Sequence, residues 1–241
     1  MPRFFLSIPD DEQVITIVGA DARHIAGSLR MRPGDSLTVC NGHGTDFACV
    51  ITAADNEQVV LEVTDRHQNR SEPTVEITLY QGLPKGDKLE WIIQKAVELG
   101  VTRIVPVVTA RSIAKSSSRE DQKTARRQKI ADEAAGQSGR GILPAVEPPI
   151  SFGEAIARIQ KERTVVFYEC GGAPLSTLLT DKPEKLSLFI GPEGGIAPEE
   201  IEKLTAAGAK TATLGPRILR CETAPLAALT AVMTLTGNMD S

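Results

Sequence analysis

The chain has 241 residues, of which 41% are hydrophobic, and it carries a formal net charge of −4. No apolar run approaches the roughly 20 residues that a membrane-spanning helix needs, and the first residues lack the long apolar core of a signal peptide. We therefore expect a cytosolic protein of one large or two small domains. The four cysteines are scattered, without a Cys-x-x-Cys pair, so no metal or redox site is predicted.

The first 72 residues are predicted to form a small barrel-like domain of short strands. The N-terminal residues form one predicted strand, and further β-rich runs cover 36–40, 46–53 and 58–64, separated by polar or glycine-containing turns. Residues 66–73 form a predicted linker to the rest of the chain.

From residue 75 onward the hydrophobic period changes. Five apolar residues fall at helical spacing before Gly100, namely Leu89, Ile92, Ile93, Ala96 and Val97. Residues 120–137 form a polar helix with few apolar positions, and helices are also predicted at 198–207 and 223–236. Strands are predicted at 75–81, 101–108, 165–168, 186–190 and 211–214. Alternating strands and helices indicate a second domain, residues 73–241, with a mainly parallel sheet covered by helices on both faces.

Positive charge is concentrated in the middle of the chain. Residues 73–145 hold 12 Lys and Arg against 8 Asp and Glu, although the whole chain is acidic. Local basic density of this kind favours phosphate binding, while the interspersed carboxylates are equally typical of a solvated helix face. The basic residues are Arg111, Lys115, Arg119, Lys123, Arg126, Arg127, Lys129 and Arg140.

Two glycine-containing loops, 191–195 and 214–223, each follow a predicted strand and precede a predicted helix. Glycine at a strand exit lets the backbone approach a ligand closely or adopt φ > 0. We therefore expect a ligand cradled at the ends of these strands, although simple tight connections are the alternative. The chain has neither a Gly-x-Gly-x-x-Gly nor a P-loop fingerprint, which disfavours a protein that binds nucleotide phosphates at 191–195.

Four segments in order resemble the ribosomal RNA small-subunit uridine-N3 methyltransferase (RsmE) family of the SPOUT superfamily. They are the Leu29-Arg-Met-Arg segment with His24, the helix ending Gln94-Lys-Ala-Val-Glu-Leu-Gly100, Gln137-Ser-Gly-Arg140, and the two glycine-containing loops together. The resemblance implies a PUA-like RNA-binding barrel at 1–72 and a knotted SPOUT methyltransferase domain at 73–241. The knot is an exception to the general absence of knots in proteins.

The family resemblance implies S-adenosylmethionine as cofactor and methyl transfer to uridine N3 in 16S ribosomal RNA. The cofactor would be bound by Glu169, Gly191, Pro192, Glu193, Gly194, Gly195, Ile196, Leu214, Gly215, Ile218, Leu219, Arg220 and Thr223. The RNA would be bound by His24, Arg30, Arg32, Arg111, Arg126, Arg127, Lys129 and Arg140. The alternative for several of these residues is that they are ordinary surface residues. These include Glu169, His24, Arg30 and Arg32.

The proton on uridine N3 must be removed, and four residues are hypothesised to be catalytic. A carboxylate with a raised pKa, Glu193 or Glu222, is a candidate base, and Arg140 or Arg220 is a candidate to stabilise negative charge on the uracil. Alternatively, Glu193 only ties its loop together, and Glu222 lies in the first turn of the next helix.

Two further expectations concern partners and function class. The last predicted helix is apolar around most of its circumference, so it is buried; the family resemblance implies a homodimer interface there, and burial within one subunit is the alternative. A non-catalytic RNA-binding or ribosome-assembly factor on the same scaffold is the second function hypothesis. It would be favoured by damage to either glycine-containing loop, and both loops are intact.

Overall fold

The computed structural model describes residues 1–113 and 120–240 of the chain, so Lys115 and Arg119 of the basic region lie outside the described residues. Two compact units divide the chain. The first unit contains Met1–Glu72 and Ala135–Leu143, and the second contains Pro73–Ala134 and Pro144–Ser241. Residues 135–143 therefore pack with the first unit rather than with the remainder of the predicted 73–241 domain.

The first unit is built on a five-stranded sheet in the order β1-β3-β4-β5-β2. Its strands are β1 Arg3–Phe5, β2 Val14–Val18, β3 Ser36–Cys40, β4 Thr45–Ala54 and β5 Gln58–Gln68. Strand β1 pairs with β3 in parallel, and the other pairs are antiparallel. A short helix, α1 (Ala20–Arg23), continues into a turn of π-helix at His24–Ser28. Strand β2 and these helical turns were not predicted.

Apolar side chains from every strand of this sheet form the core of the first unit. In β2, exposed and buried residues alternate, so that Ile15 and Ile17 point inward, as the two-residue period of a strand requires. They join Leu37, Phe47 and Leu61, which are completely buried in the same cluster. The predicted strand-rich fold of this region is therefore confirmed.

A partly buried carboxylate holds the 135–143 segment within the first unit. Glu72 accepts two hydrogen bonds of 2.8 Å from the Arg140 guanidinium, and it also accepts from the backbone N–H groups of Gly141 at 2.7 Å and Ile142 at 3.1 Å. Asn69 adds a bond to the carbonyl of Gly139 at 3.0 Å. Side chains from the end of the predicted linker thus satisfy the backbone of this segment.

The second unit is built on a sheet in which all the strand pairs among the described residues are parallel. Seven of its strands follow the order β11-β13-β10-β12-β6-β7-β8, and β9 pairs with β7. They are β6 Glu76–Gly82, β7 Arg103–Val108, β8 Ala145–Val146, β9 Ile150–Ser151, β10 Thr164–Phe167, β11 Ala173–Pro174, β12 Lys185–Ile190 and β13 Lys210–Thr213. The central strands are almost wholly buried, as expected for a parallel sheet with both faces covered.

Helices of the second unit are α2 Lys88–Glu98, α3 Glu120–Gln137, α4 Phe152–Ile159, α5 Leu175–Leu178, α6 Pro198–Ala206 and α7 Ala224–Leu235. Helix α3 continues through residue 137, so its last turn belongs to the first unit. Helices α2 and α7 pack together, and α7 buries Ala228, Leu229, Val232 and Met233. Among the helices of the described residues, none combines the length and hydropathy that a bilayer span needs.

The strand order decides where a ligand can bind in the second unit. Strands β13, β10 and β12 are neighbours, and they are parallel, so their C-terminal ends lie at one edge of the sheet. The two glycine-containing loops leave the sheet at this edge, after β12 and β13. Loops at the carboxyl ends of parallel strands are the usual location of ligand sites in α/β folds.

Candidate active site

A cavity of about 440 Å³ opens at this edge of the sheet. Its walls come from the ends of β10, β12 and β13, the loops that follow them, and the first residue of α2. The lining residues are Lys88, Phe167, Tyr168, Glu169, Ile190, Gly191, Pro192, Glu193, Gly194, Gly195, Thr213, Leu214, Gly215, Pro216, Arg217, Ile218, Leu219, Arg220, Cys221, Glu222 and Ala224. Most of the predicted cofactor residues are thus brought together, and all of the lining belongs to the second unit.

The first loop, 191–195, is tightly packed and needs its glycines. Gly195 has φ +71°, and a Cβ at this position would overlap the carboxylate of Glu169. A Cβ on Gly191 would lie 2.9 Å from the side chain of Ile196. Arg111 donates a hydrogen bond of 2.8 Å to the carbonyl of Gly194. The backbone of this loop is therefore held close to the side chains on either side of it.

The second loop, 214–223, is more open. Gly215 has φ +93° and open space where a Cβ would be, and Ile218 is 84% exposed at the cavity wall. Two predicted cofactor residues are not in the lining. Ile196 is buried in the core beneath the first loop, and Thr223 lies just before the first residue of α7, with its N–H bonded to the carbonyl of Arg220 at 2.9 Å.

A cluster of charges joins the two loops at one side of the cavity. The Nζ atom of Lys88 lies 3.0 Å from Oε1 of Glu193 in the first loop and 3.5 Å from Oε2 of Glu222 in the second. The Cys221 thiol donates to Glu222 at 3.1 Å. Burial, together with the nearby carboxylates, raises the pKa of this thiol to about 12, so Cys221 is a neutral donor and not a thiolate nucleophile.

Both predicted bases are stabilised as anions, so the expectation of a raised carboxyl pKa is wrong. Burial of Glu193 opposes ionisation, but hydrogen bonds from its own backbone, from Lys88 and from the Lys85 N–H outweigh it and lower its pKa. The hydrogen bond from Cys221 is the main cause of a lowered pKa at Glu222. A carboxylate with a lowered pKa is a weaker proton acceptor, which disfavours general-base catalysis by either residue.

The two predicted catalytic arginines differ in position. Arg220 lines the cavity and is exposed. Arg140 belongs to the first unit, is only 2% exposed, and forms its bidentate ion pair with Glu72. Because this guanidinium is buried against a carboxylate and is absent from the cavity lining, the catalytic and RNA-binding roles predicted for Arg140 are withdrawn in favour of a structural one.

The other predicted RNA contacts fall into two groups. His24, Arg30 and Arg32 are exposed on the first unit. In the second unit Arg126 is 68% exposed and pairs with Glu90, and the exposed Lys129 lies 3.8 Å from Glu133. The remaining two, Arg127 and Arg111, are engaged within the second unit: Arg127 is 11% exposed in an ion pair with Glu120, and Arg111 bonds to the first loop.

Lys88 is a charged residue of the cavity wall that was not predicted from the sequence. It follows Leu83-Pro-Lys-Gly86, a third loop with glycine and proline at a strand exit, directly after β6. Since β6 pairs with β12, this exit lies beside the first loop. This third loop with glycine and proline at a strand exit was the feature of the sequence that could have pointed to Lys88. Within the described residues, no group of three His, Cys, Asp or Glu side chains could hold a metal ion.

A glycine-lined cavity at the carboxyl edge of a parallel sheet is typical of a small-ligand site in α/β proteins, and the family matches give the class of protein as an RNA methyltransferase. Residues 70–233 match the family described as the RNA methyltransferase domain, and residues 17–64 match the RNA methyltransferase PUA domain. The predicted PUA-like barrel is thereby confirmed. The chain belongs to the ribosomal RNA small subunit methyltransferase E family, which confirms the resemblance noted from the sequence motifs.

Relatives and solved structures support this membership along the whole chain. The methyltransferase E of Bacillus subtilis is 37% identical over 96% of both chains, and that of Mycobacterium bovis is 32% identical over 98% of this chain and 92% of its own. The Neisseria gonorrhoeae methyltransferase E bound to S-adenosyl methionine superposes with a TM-score of 0.90, at 33% identity over 98% of each chain. A Legionella pneumophila methyltransferase with bound SAM gives 0.86, at 29% identity over 96% of each chain.

Proposed function

We propose that this chain transfers a methyl group from S-adenosylmethionine to N3 of a uridine in small-subunit ribosomal RNA. The observation that carries the proposal is the cavity between the two glycine-containing loops, in a chain whose relatives are named for methylation of this RNA. The non-catalytic alternative is disfavoured because both loops are intact, and in the first loop glycine is sterically required at positions 191 and 195.

The cavity fits this cofactor in size and chemistry. Its volume of about 440 Å³ is within the roughly 300–1,000 Å³ of small-ligand sites. The backbones of 191–195 and 214–219 supply amide and carbonyl groups suited to the edges of adenine, and Ile218 and Leu219 offer apolar contact. Glu169 is exposed at the end of β10 beside Gly195, where its carboxylate can accept hydrogen bonds from ribose hydroxyls. When bound, the cofactor supplies a methyl group activated by its sulfonium.

The chain's own contribution to the reaction is mainly positioning. Holding uridine N3 in line with the methyl group converts an encounter between two molecules into an effectively unimolecular step. Arg220, exposed at the cavity wall, is the predicted catalytic arginine that remains available to stabilise negative charge on the uracil carbonyls. Glu193 and Glu222 are assigned to positioning, because both are held as anions by neighbouring donors.

RNA contacts are assigned to the exposed basic residues of each unit. In the PUA-like unit these are His24, Arg30 and Arg32, and on α3 they are Arg126 and Lys129. Exposed ion pairs contribute little to stability, so the carboxylate partners of the α3 residues can be exchanged for phosphates at little cost. RNA binding by an acidic chain is therefore proposed to depend on local charge.

A homodimer is proposed through helices α2 and α7. These two helices pack together, and each leaves a large apolar side chain exposed: Trp91 on α2 is 44% exposed and Leu235 at the end of α7 is 38% exposed. A second copy of the chain would cover them. Light scattering should give twice the chain mass of 25.8 kDa, and the double variant Trp91→Glu, Leu235→Glu should give the mass of one chain. We place this protein in the cytosol, where its RNA substrate is made and where free thiols are stable.

The decisive experiment is base-level mapping of the product. The chain is incubated with methyl-labelled S-adenosylmethionine and either 16S RNA or small subunits from cells that lack this gene, and digested nucleosides are identified by mass spectrometry. We expect one 3-methyluridine per RNA. Methylation of another atom would overturn the N3 assignment, and RNA binding without incorporated methyl would support the non-catalytic alternative. Titration against ATP serves as the control for nucleotide binding.

A further inference from the structure

Three partly buried charges meet at one side of the cavity. Lys88 bridges Glu193 and Glu222 at 3.0 and 3.5 Å, and the exposed fractions of the three side chains are 36, 29 and 24%. The pKa of Lys88 is raised chiefly by its hydrogen bond to Glu193, and the pKa values of both carboxyls are lowered. All three groups are therefore ionised at neutral pH, which leaves the cluster with a formal charge of −1.

We propose that this cluster makes the cavity selective for the positively charged methyl donor over its neutral product. The inference rests on the proposed function, in which S-adenosylmethionine occupies the cavity. The donor and S-adenosylhomocysteine share the adenine, ribose, amino and carboxylate groups. They differ by a methyl group and by one unit of positive charge, which the sulfonium carries and the product thioether lacks. A net negative cluster would favour the donor and promote exchange of product for donor after each turnover.

Other charges on the cavity wall do not cancel this effect. Glu169, Arg217 and Arg220 also line the cavity, so the formal charges of all the lining residues sum to zero. These three side chains belong to exposed residues, where solvent and salt screen a charge strongly. Glu193 is also an exposed residue, but the cluster differs in that its charges are held by partners from other segments of the chain, with Lys88 of α2 paired to Glu193 of the first loop and Glu222 of the second. Fixed, partly desolvated charges act more strongly on a ligand than mobile exposed ones.

Removing a negative charge from the cluster and removing its positive charge should change the selectivity in opposite directions. Dissociation constants of S-adenosylmethionine and S-adenosylhomocysteine are measured by calorimetry, and the ratio of product to donor constants is the readout. Glu222→Gln should lower this ratio severalfold. For scale, two unit charges about 4 Å apart in water interact by about 1 kcal/mol, which is roughly fivefold in a binding constant. Lys88→Met should raise the ratio by a similar factor, because it removes the positive charge that offsets the two carboxylates. Higher salt should reduce the preference of the wild-type chain for the donor.

The ratio of the two dissociation constants separates an effect on selectivity from an effect on the structure of the loops. Loss of Lys88 also removes the link between the two loops, and that structural effect should weaken both ligands by the same factor. Glu199→Gln, an exposed carboxylate in the first turn of α6, is the matched control and should leave the ratio unchanged. Glu193→Gln provides a second neutralisation within the cluster, and thermal unfolding checks that each variant is folded.

The outcomes distinguish this inference from the proposed function. A wild-type chain that binds neither ligand would overturn both. A wild-type chain that binds the donor, with the same ratio in Glu222→Gln and Glu193→Gln, would leave the proposed function standing and overturn the selectivity of the cluster. A ratio lowered by Lys88→Met would also overturn it, because the charge argument requires the opposite sign.

Discussion

Replacing Gly195 with alanine tests the packing of the first loop against its neighbouring strand end. Gly195 has φ +71°, and its N–H closes a turn to the carbonyl of Pro192 at 2.9 Å. A Cβ here would lie 2.9 Å from Cδ of Glu169 and closer still to one carboxylate oxygen. The substitution therefore adds both backbone strain and a collision with the residue proposed to bind ribose.

The expected loss of stability follows from these two effects. A left-handed conformation costs a residue with a Cβ about 1–2 kcal/mol, and moving Glu169 off its rotamer adds about 0.5–1.5 kcal/mol. We expect Gly195→Ala to lower the free energy of unfolding by about 1.5–3.5 kcal/mol. Since a displaced carboxylate loses its hydrogen bonds to ribose, donor affinity should also fall by about tenfold or more.

Two other glycines separate strain from collision. Gly208, after α6, has φ +100°, and Gly215 has φ +93°; neither has an atom within 4 Å of an added Cβ. Urea unfolding of Gly208→Ala and Gly215→Ala should show only the loss of stability that comes from backbone strain. Calorimetry of Gly208→Ala should show unchanged affinity for the donor. The reasoning is refuted if Gly195→Ala is no less stable than Gly208→Ala, or if its donor affinity equals that of the wild-type chain.

Three further predictions concern the remaining charged residues. Arg126→Ala with Lys129→Ala should weaken RNA binding and reduce the slope of log affinity against log salt by about 0.7–0.9 per lost phosphate contact; an unaltered slope would mean that this face of α3 meets solvent only. The pKa of Glu193 is lowered, so in Glu193→Gln the rate of single-turnover methyl transfer should rise with pH as it does in the wild-type chain. A loss of rate by a factor of about 10² to 10⁴ would instead restore the hypothesis that Glu193 is the base. Glu72→Gln should destabilise the protein by about 3–5 kcal/mol in urea unfolding, since it leaves the buried Arg140 without its carboxylate; unchanged unfolding would contradict the structural role of this pair.

Elements with a strong local pattern could be predicted from the sequence. The predicted limits of Ser36–Cys40 match the structure at both ends, the predicted end of helix α3 at Gln137 matches as well, and the apolar spacing of α2 identifies its buried face. Strand β2 and helix α4 were missed, although β2 alternates buried and exposed residues and α4 begins with a capping box at Ser151. The local signal was therefore present in the sequence for both elements.

The two glycine-containing loops could also be predicted, because close backbone approach and positive φ are local demands that only glycine meets easily. The full set of cations on the cavity wall could not be predicted, although Arg220 was correctly expected there. Lys88 and Arg140 both belong to recognisable motifs, yet Lys88 lines the cavity because β6 pairs with β12, and Arg140 is buried because residues 135–143 pack with the first unit. Strand order and domain packing arise from contacts between distant parts of the chain. No local periodicity encodes them, so only the tertiary structure decides which charges meet.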